Sequence, residues 1–209
     1  MELSIFLKTI GIGFSVAAAV GPISLLCVQR TLQNGFGIGL ASGMGTASAD
    51  ALYGLIGGLG LSVITNFLVG QQFMLRLVGG MALVYLGLKT FLTKADIQAA
   101  KENHHKAAGF LGAYTSNLLL TLSNPMTIIS YIAIYAGIGA LGLNNSWSAA
   151  AAFALAIFIG SSIWWLALVS SVNLLRSRFN PSLLLKLNYI SGMIIAGFGV
   201  VILWQILIG

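Results

Sequence analysis

Apolar residues run along this chain in six stretches: Ile5 to Val28, Gly37 to Val63, Gln72 to Phe91, Gly109 to Leu141, Trp147 to Val172 and Leu187 to Ile208. Each has at least the ~20 residues an α-helix needs to cross a hydrocarbon layer. The pattern predicts an all-α integral membrane protein with six transmembrane helices, forming a single membrane domain over 1–209. The connections are short and leave no room for a soluble domain. The first stretch is too long, and too poor in flanking basic charge, to be a cleavable signal, so it is expected to stay in the membrane.

Two prolines interrupt the pattern at matching places, Gly21-Pro22 in the first stretch and Asn124-Pro125 in the fourth. Proline has no amide proton and clashes with the preceding turn, which costs roughly 3 kcal/mol inside a helix in water. Each break is expected to release a backbone carbonyl, near Ala18 and Thr121, at a depth without bulk water. Paired breaks predict discontinuous helices lining a polar cavity; taken singly they could be packing kinks, since proline is commoner in membrane helices than in soluble ones. The third and sixth stretches also align without a gap: Val78-Gly79-Gly80-Met81 through Gly87 matches Ile190-Ser191-Gly192-Met193 through Gly199. The chain therefore divides into repeat one, 1–92, a cytoplasmic loop, 93–108, and repeat two, 109–209. Three spans per half is odd, so the halves form two inverted three-helix repeats, with the site at their pseudo-symmetric centre.

Polar residues inside the stretches supply the candidate chemistry. Asp50 is the one acidic residue deep within a span, where an ionised carboxylate facing lipid would cost at least about 3 kcal/mol. Ser42, Thr46, Asp50 and Tyr53 share one helical face, and Gly35, Gly39, Gly43, Ala47 and Ala51 form a neighbouring small-residue stripe suited to close helix approach. In the fourth stretch Tyr114, Asn117, Thr121 and Asn124 recur at helical spacing and lead to Pro125. Their hydroxyls and amides could replace water around a polar solute; the bland alternative is that they only hold helices together. Trp164 and Trp165 lie well inside the fifth stretch and are gate candidates, although adjacent residues point to different faces and packing suffices for one of them. Trp147, Trp204, Arg30 and Arg76 read as border anchors.

Composition agrees with this picture: 58% of residues are hydrophobic and 7% charged. The net charge of +6 is concentrated in the connections after the first, third and fifth stretches. That distribution is a topology signal and not a nucleic-acid footprint; it places the Lys94 to Lys106 segment in the cytoplasm and both termini outside. Cys27 is the one cysteine, too few for a disulfide or a thiol relay. His104 and His105 lack spaced acidic or thiol partners, so no metal site and no cofactor is expected.

Val20-Gly21-Pro22, the run from Gly35 to Asp50, the segment Leu77 to Lys89, and Ser123-Asn124-Pro125 together resemble the LysE-type translocator family of amino-acid exporters, over nearly the whole chain. The resemblance implies export of amino acids or their derivatives across a bacterial plasma membrane, against protons, with Gly21, Pro22, Asp50, Asn124 and Pro125 at the motif positions. Val20 stands where many members carry proline, and Met126 where many carry lysine, which leaves basic and neutral substrates both open. On this reading Asp50 either holds the substrate ammonium or carries the coupled proton, and backbone dipoles freed at the two breaks bind the zwitterion. Expected partners are the amino acid, protons and membrane lipid; close-packing glycines permit a homodimer without requiring one. A cation exporter of a related family would need more buried ligands than one aspartate. An enzyme would need catalytic pairs that are missing, and a non-transporting membrane scaffold would show no substrate-dependent flux.

Overall fold

The structure is a computed structural model that describes residues 2–19, 21–59, 71–92, 107–124, 127, 128, 130, 131, 134, 147–176 and 181–208. Among the described residues seven helices have defined bounds: α1 Leu3–Ala17, α2 Pro22–Asn34, α3 Phe36–Gly58, α4 Gln72–Leu92, α5 Ala107–Leu122, α6 Trp147–Leu175 and α7 Pro181–Ile208. The described residues contain no strand. Helix α6 and the Leu185–Leu207 part of α7 are each long and apolar enough to cross a membrane, and α1 with α2 makes a third such unit if the bent pair is one span. The chain is accordingly a helical membrane protein. Its outward side chains fit that solvent: Leu92, Tyr85, Val78, Leu111, Leu174 and Leu207 are all exposed.

The first break lies where the sequence places it. Pro22 is the first residue of α2, where its missing amide proton costs nothing, and Gly21 is the N-cap. The axes of α1 and α2 diverge by 79°. Of the carbonyls at this bend, that of Ala19 accepts the Ser24 hydroxyl at 3.3 Å. In the second half the Thr121 carbonyl does not stay open as expected; the Asn124 amide donates to it at 3.2 Å. Pro125 itself lies outside the described residues, as do the Lys94 to Lys106 segment and the ends of the second and fourth apolar stretches.

A single residue, Gly35, turns α2 into α3 with φ of +89°, a left-handed conformation that side chains resist. The end of α6 secures this turn. Arg176 donates to the carbonyls of Leu32 at 2.8 Å and Gln33 at 3.2 Å, placing a cation on the negative end of α2.

Helix α3 lies between α5 and α6. Against α6 it runs antiparallel, with Gly43 on Trp165, Gly54 on Ile157 and Gly58 on Ala150. Against α5 it runs parallel, with Gly37 on Phe110 and Gly45 on Tyr114. The expected small-residue stripe is thus shared by two neighbours, since Gly39 meets Thr31 of α2 while Gly43 meets α6. Helices α4 and α7 form an antiparallel pair in which each glycine meets the other one's sequence counterpart: Gly80, matched to Gly192, faces Gly199, and Gly87, matched to Gly199, faces Gly192. Without a Cβ at these positions the two backbones come into direct contact. A second polar network pins α2 to that pair: Thr90 donates to Gln29, and Gln29 and Gln33 both donate to Asn188.

Candidate transport site

The Ser42, Thr46, Asp50 and Tyr53 stripe of α3 is buried along its whole length. Asp50 is 2% exposed and turned into the helix bundle, not toward lipid. Ser161 of α6 donates a hydrogen bond to its Oδ2 at 2.7 Å. Among the described residues no lysine, arginine or histidine pairs with it. A buried carboxylate held by a hydroxyl lacks the counter-charge that normally accompanies such burial.

One turn earlier on α3, the Thr46 hydroxyl receives Asn117 and Thr121 of α5, both at 3.4 Å, and donates to the Ser42 carbonyl at the same distance. These contacts are long, close to the limit of a hydrogen bond, so the hydroxyl is only loosely engaged. Thr121 also donates to the Asn117 carbonyl at 2.8 Å. Tyr53 donates to the Leu122 carbonyl at 2.7 Å and stacks on Tyr131, with ring centroids 5.2 Å apart. Asn117, Thr121, Thr46, Tyr53 and Asp50 therefore form one buried polar column between α3, α5 and α6.

Other sequence candidates fall elsewhere. Tyr114 bonds to Ser48 at 2.8 Å. Ser48 lies about 200° around α3 from Asp50, so Tyr114 belongs to a different face of that helix; there it lines an open depression with Leu52, Leu55 and Phe158. Trp165 is buried against Gly43, one turn from Ser161, whereas Trp164 packs edge-on against Phe14 of α1 at 5.4 Å. Only Trp165 adjoins the column. Gly21 and Pro22 open α2, and Asn124 follows α5, where its carbonyl accepts the Ile128 amide at 3.1 Å.

The sequence reading missed Arg30. Expected as a border anchor, it turns inward at the other end of the column. Its guanidinium donates to Ser42, the Ala113 carbonyl and Asn117, each at 3.0 Å, and to Ser116 at 2.9 Å. Asn117 thus links Arg30 to Thr46. The signal available in sequence was the run Gln29, Arg30, Thr31, Gln33 and Asn34, too polar to continue an apolar span. The Asp50 partner Ser161 had no such signal. Among the described residues no group of acidic, histidine or cysteine side chains could hold a metal ion.

Comparison with known proteins bears on the class of the protein. The family model described as LysE type translocator matches residues 14–205. The Bacillus subtilis (strain 168) protein named "Putative amino acid efflux protein YcgF" is 28% identical over 94% of this chain and 94% of its own length. "Uncharacterized membrane protein YrhP" of the same organism is 26% identical over 86% of this chain and 89% of its own. "Uncharacterized membrane protein slr1627" of Synechocystis sp. is 24% identical over 90% of each chain. No solved structure matches the chain significantly. A family match of this extent settles the class: the chain belongs to the LysE type translocator family, whose members are transporters and not enzymes.

Proposed function

We propose that this chain is a secondary active exporter of amino acids or their derivatives across the bacterial plasma membrane, working by proton antiport. The observation that carries this reading is Asp50, a 2% exposed carboxyl bound by Ser161 and by no cation among the described residues. Intramembrane acids in such settings mark substrate or proton pathways. Asp50 takes either the substrate ammonium or the coupled proton, and Thr46, Asn117 and Thr121 line the way to it. The breaks at Gly21-Pro22 and Asn124-Pro125 add backbone dipoles for the zwitterion. The name of the Bacillus subtilis relative, an amino acid efflux protein, supports the same substrate class.

The architecture proposed for this activity is two inverted halves, 1–92 and 109–209, with six spans, the 93–108 loop cytoplasmic and both termini external. Supporting contacts are the parallel α3–α5 and antiparallel α3–α6 and α4–α7 pairs, and the reciprocal Gly80–Gly199 and Gly87–Gly192 contacts between the sequence-matched spans. Exporting a net positive charge against an interior-negative potential costs about 2.3 kcal/mol per 100 mV, so proton antiport matters more for a basic substrate than for a neutral one.

The test is an efflux screen of the twenty amino acids and several dipeptides from preloaded cells with and without the protein. Faster efflux of at least one amino acid, abolished by collapsing the proton gradient, is expected. Identical efflux of every compound in both strains contradicts the proposal.

A further inference from the structure

We propose that Arg30 binds the carboxylate of the transported molecule; the inference rests on the exporter reading above and names the group that selects its substrate. A guanidinium carries five N–H donors on three nitrogens. In Arg30 the two on Nη1 are shared among Ser42, Ala113 and Asn117, and one on Nη2 goes to Ser116. Among the described residues the Nε proton and the second Nη2 proton have no acceptor. Nε and Nη2 form the edge of the guanidinium that matches the two oxygens of a carboxylate.

Charge leads to the same conclusion. Every acceptor around Arg30 is a neutral oxygen, from two serines, an asparagine and a backbone carbonyl. The side chain is half-buried, and no described aspartate or glutamate pairs with it. A cation in this position is fixed in orientation by α3 and α5 without being neutralised, which is the state of a site awaiting an anion. The missing counter-charge arrives with the substrate.

The spacing along α3 then separates two roles. Ser42, which touches Arg30, and Asp50 lie two helical turns apart, about 12 Å along the axis. The ammonium and carboxylate of an α-amino acid are joined through a single carbon and lie within about 4 Å. On that spacing the α-ammonium of a molecule held by Arg30 is placed nearer Asn117 and Thr46 than Asp50. Arg30 holds the carboxylate, Asn117 and Thr46 adjoin the bound molecule, and Asp50 is left to carry the proton.

Counterflow in proteoliposomes tests this, using each of the twenty L-amino acids as substrate and the matching L-amino acid amide as competitor. With wild-type protein the amide, which lacks the carboxylate, competes at least 10-fold more weakly than the acid. Arg30→Gln raises the half-saturating concentration of the acid at least 10-fold and removes its advantage over the amide; Arg30→Lys, which keeps the charge but not the fork, falls between. A structural role for Arg30 would lower flux without changing the acid-to-amide ratio, and that result overturns the inference. If neither variant folds, the wild-type competition decides, and equal potency of amide and acid overturns it. Absence of counterflow of any amino acid by wild-type protein overturns the exporter reading itself, and this inference with it.

Discussion

At the scale of single residues, a buried carboxyl, Asp50, and a guanidinium, Arg30, stand at the two ends of one polar column. Asp50 was legible in the sequence because a lone acid in an apolar stretch is conspicuous and because Ser42, Thr46 and Tyr53 repeat on its helical face. Its partner Ser161 was not, since spacing along a helix fixes which face a residue occupies but not what faces it from another helix. Arg30 was misread for a related reason. Counting Ile5 to Val28 as one span puts residue 30 at its border even with a break at Pro22; the 79° size of the bend, which proline alone does not set, makes α2 a separate helix and carries Arg30 to α3 and α5. Removing the Ser161 hydroxyl takes away a donor from a buried charged group, an effect of about 1.5–3 kcal/mol. Ser161→Ala should therefore lower thermal stability and change the pH dependence of transport, while Ser161→Thr, which keeps a hydroxyl, restores both.

At the scale of helices, glycine contacts set the packing, and their costs are specific to position. A methyl group on Gly87 would overlap the backbone of Ala196 in α7, whereas Gly112 on α5 has nothing within 4 Å. Gly87→Ala should destabilise the protein by about 1–3 kcal/mol through overpacking, and Gly112→Ala should be neutral or stabilising by up to about 1 kcal/mol through helix propensity; thermal unfolding in detergent distinguishes them. Gly35→Ala should cost about 1–2 kcal/mol, because φ of +89° brings a Cβ into conflict with the backbone. The break at Gly21-Pro22 and the α4–α7 glycine match were both readable from sequence, because proline and glycine carry their geometry with them. The register between α3 and its two neighbours was not, because small residues permit close approach without naming a partner.

At the scale of the whole molecule, the described residues present an apolar exterior and a mostly apolar core in which polar side chains such as Asp50, Asn117 and Thr121 are buried. The basic connections orient this body under the proposed topology. A cysteine introduced at Lys101 should resist a membrane-impermeant thiol reagent in intact cells, while one introduced at Glu2 should react; the reverse pattern would invert the topology. The central claim is that the buried Asp50 carboxyl couples amino acid export to protons. Its most direct test measures proton movement and amino acid counterflow together in proteoliposomes holding wild-type or Asp50→Asn protein. The account predicts that wild-type protein links the two fluxes and that the variant loses the link while still exchanging amino acid; proton-coupled export unchanged in Asp50→Asn would contradict it.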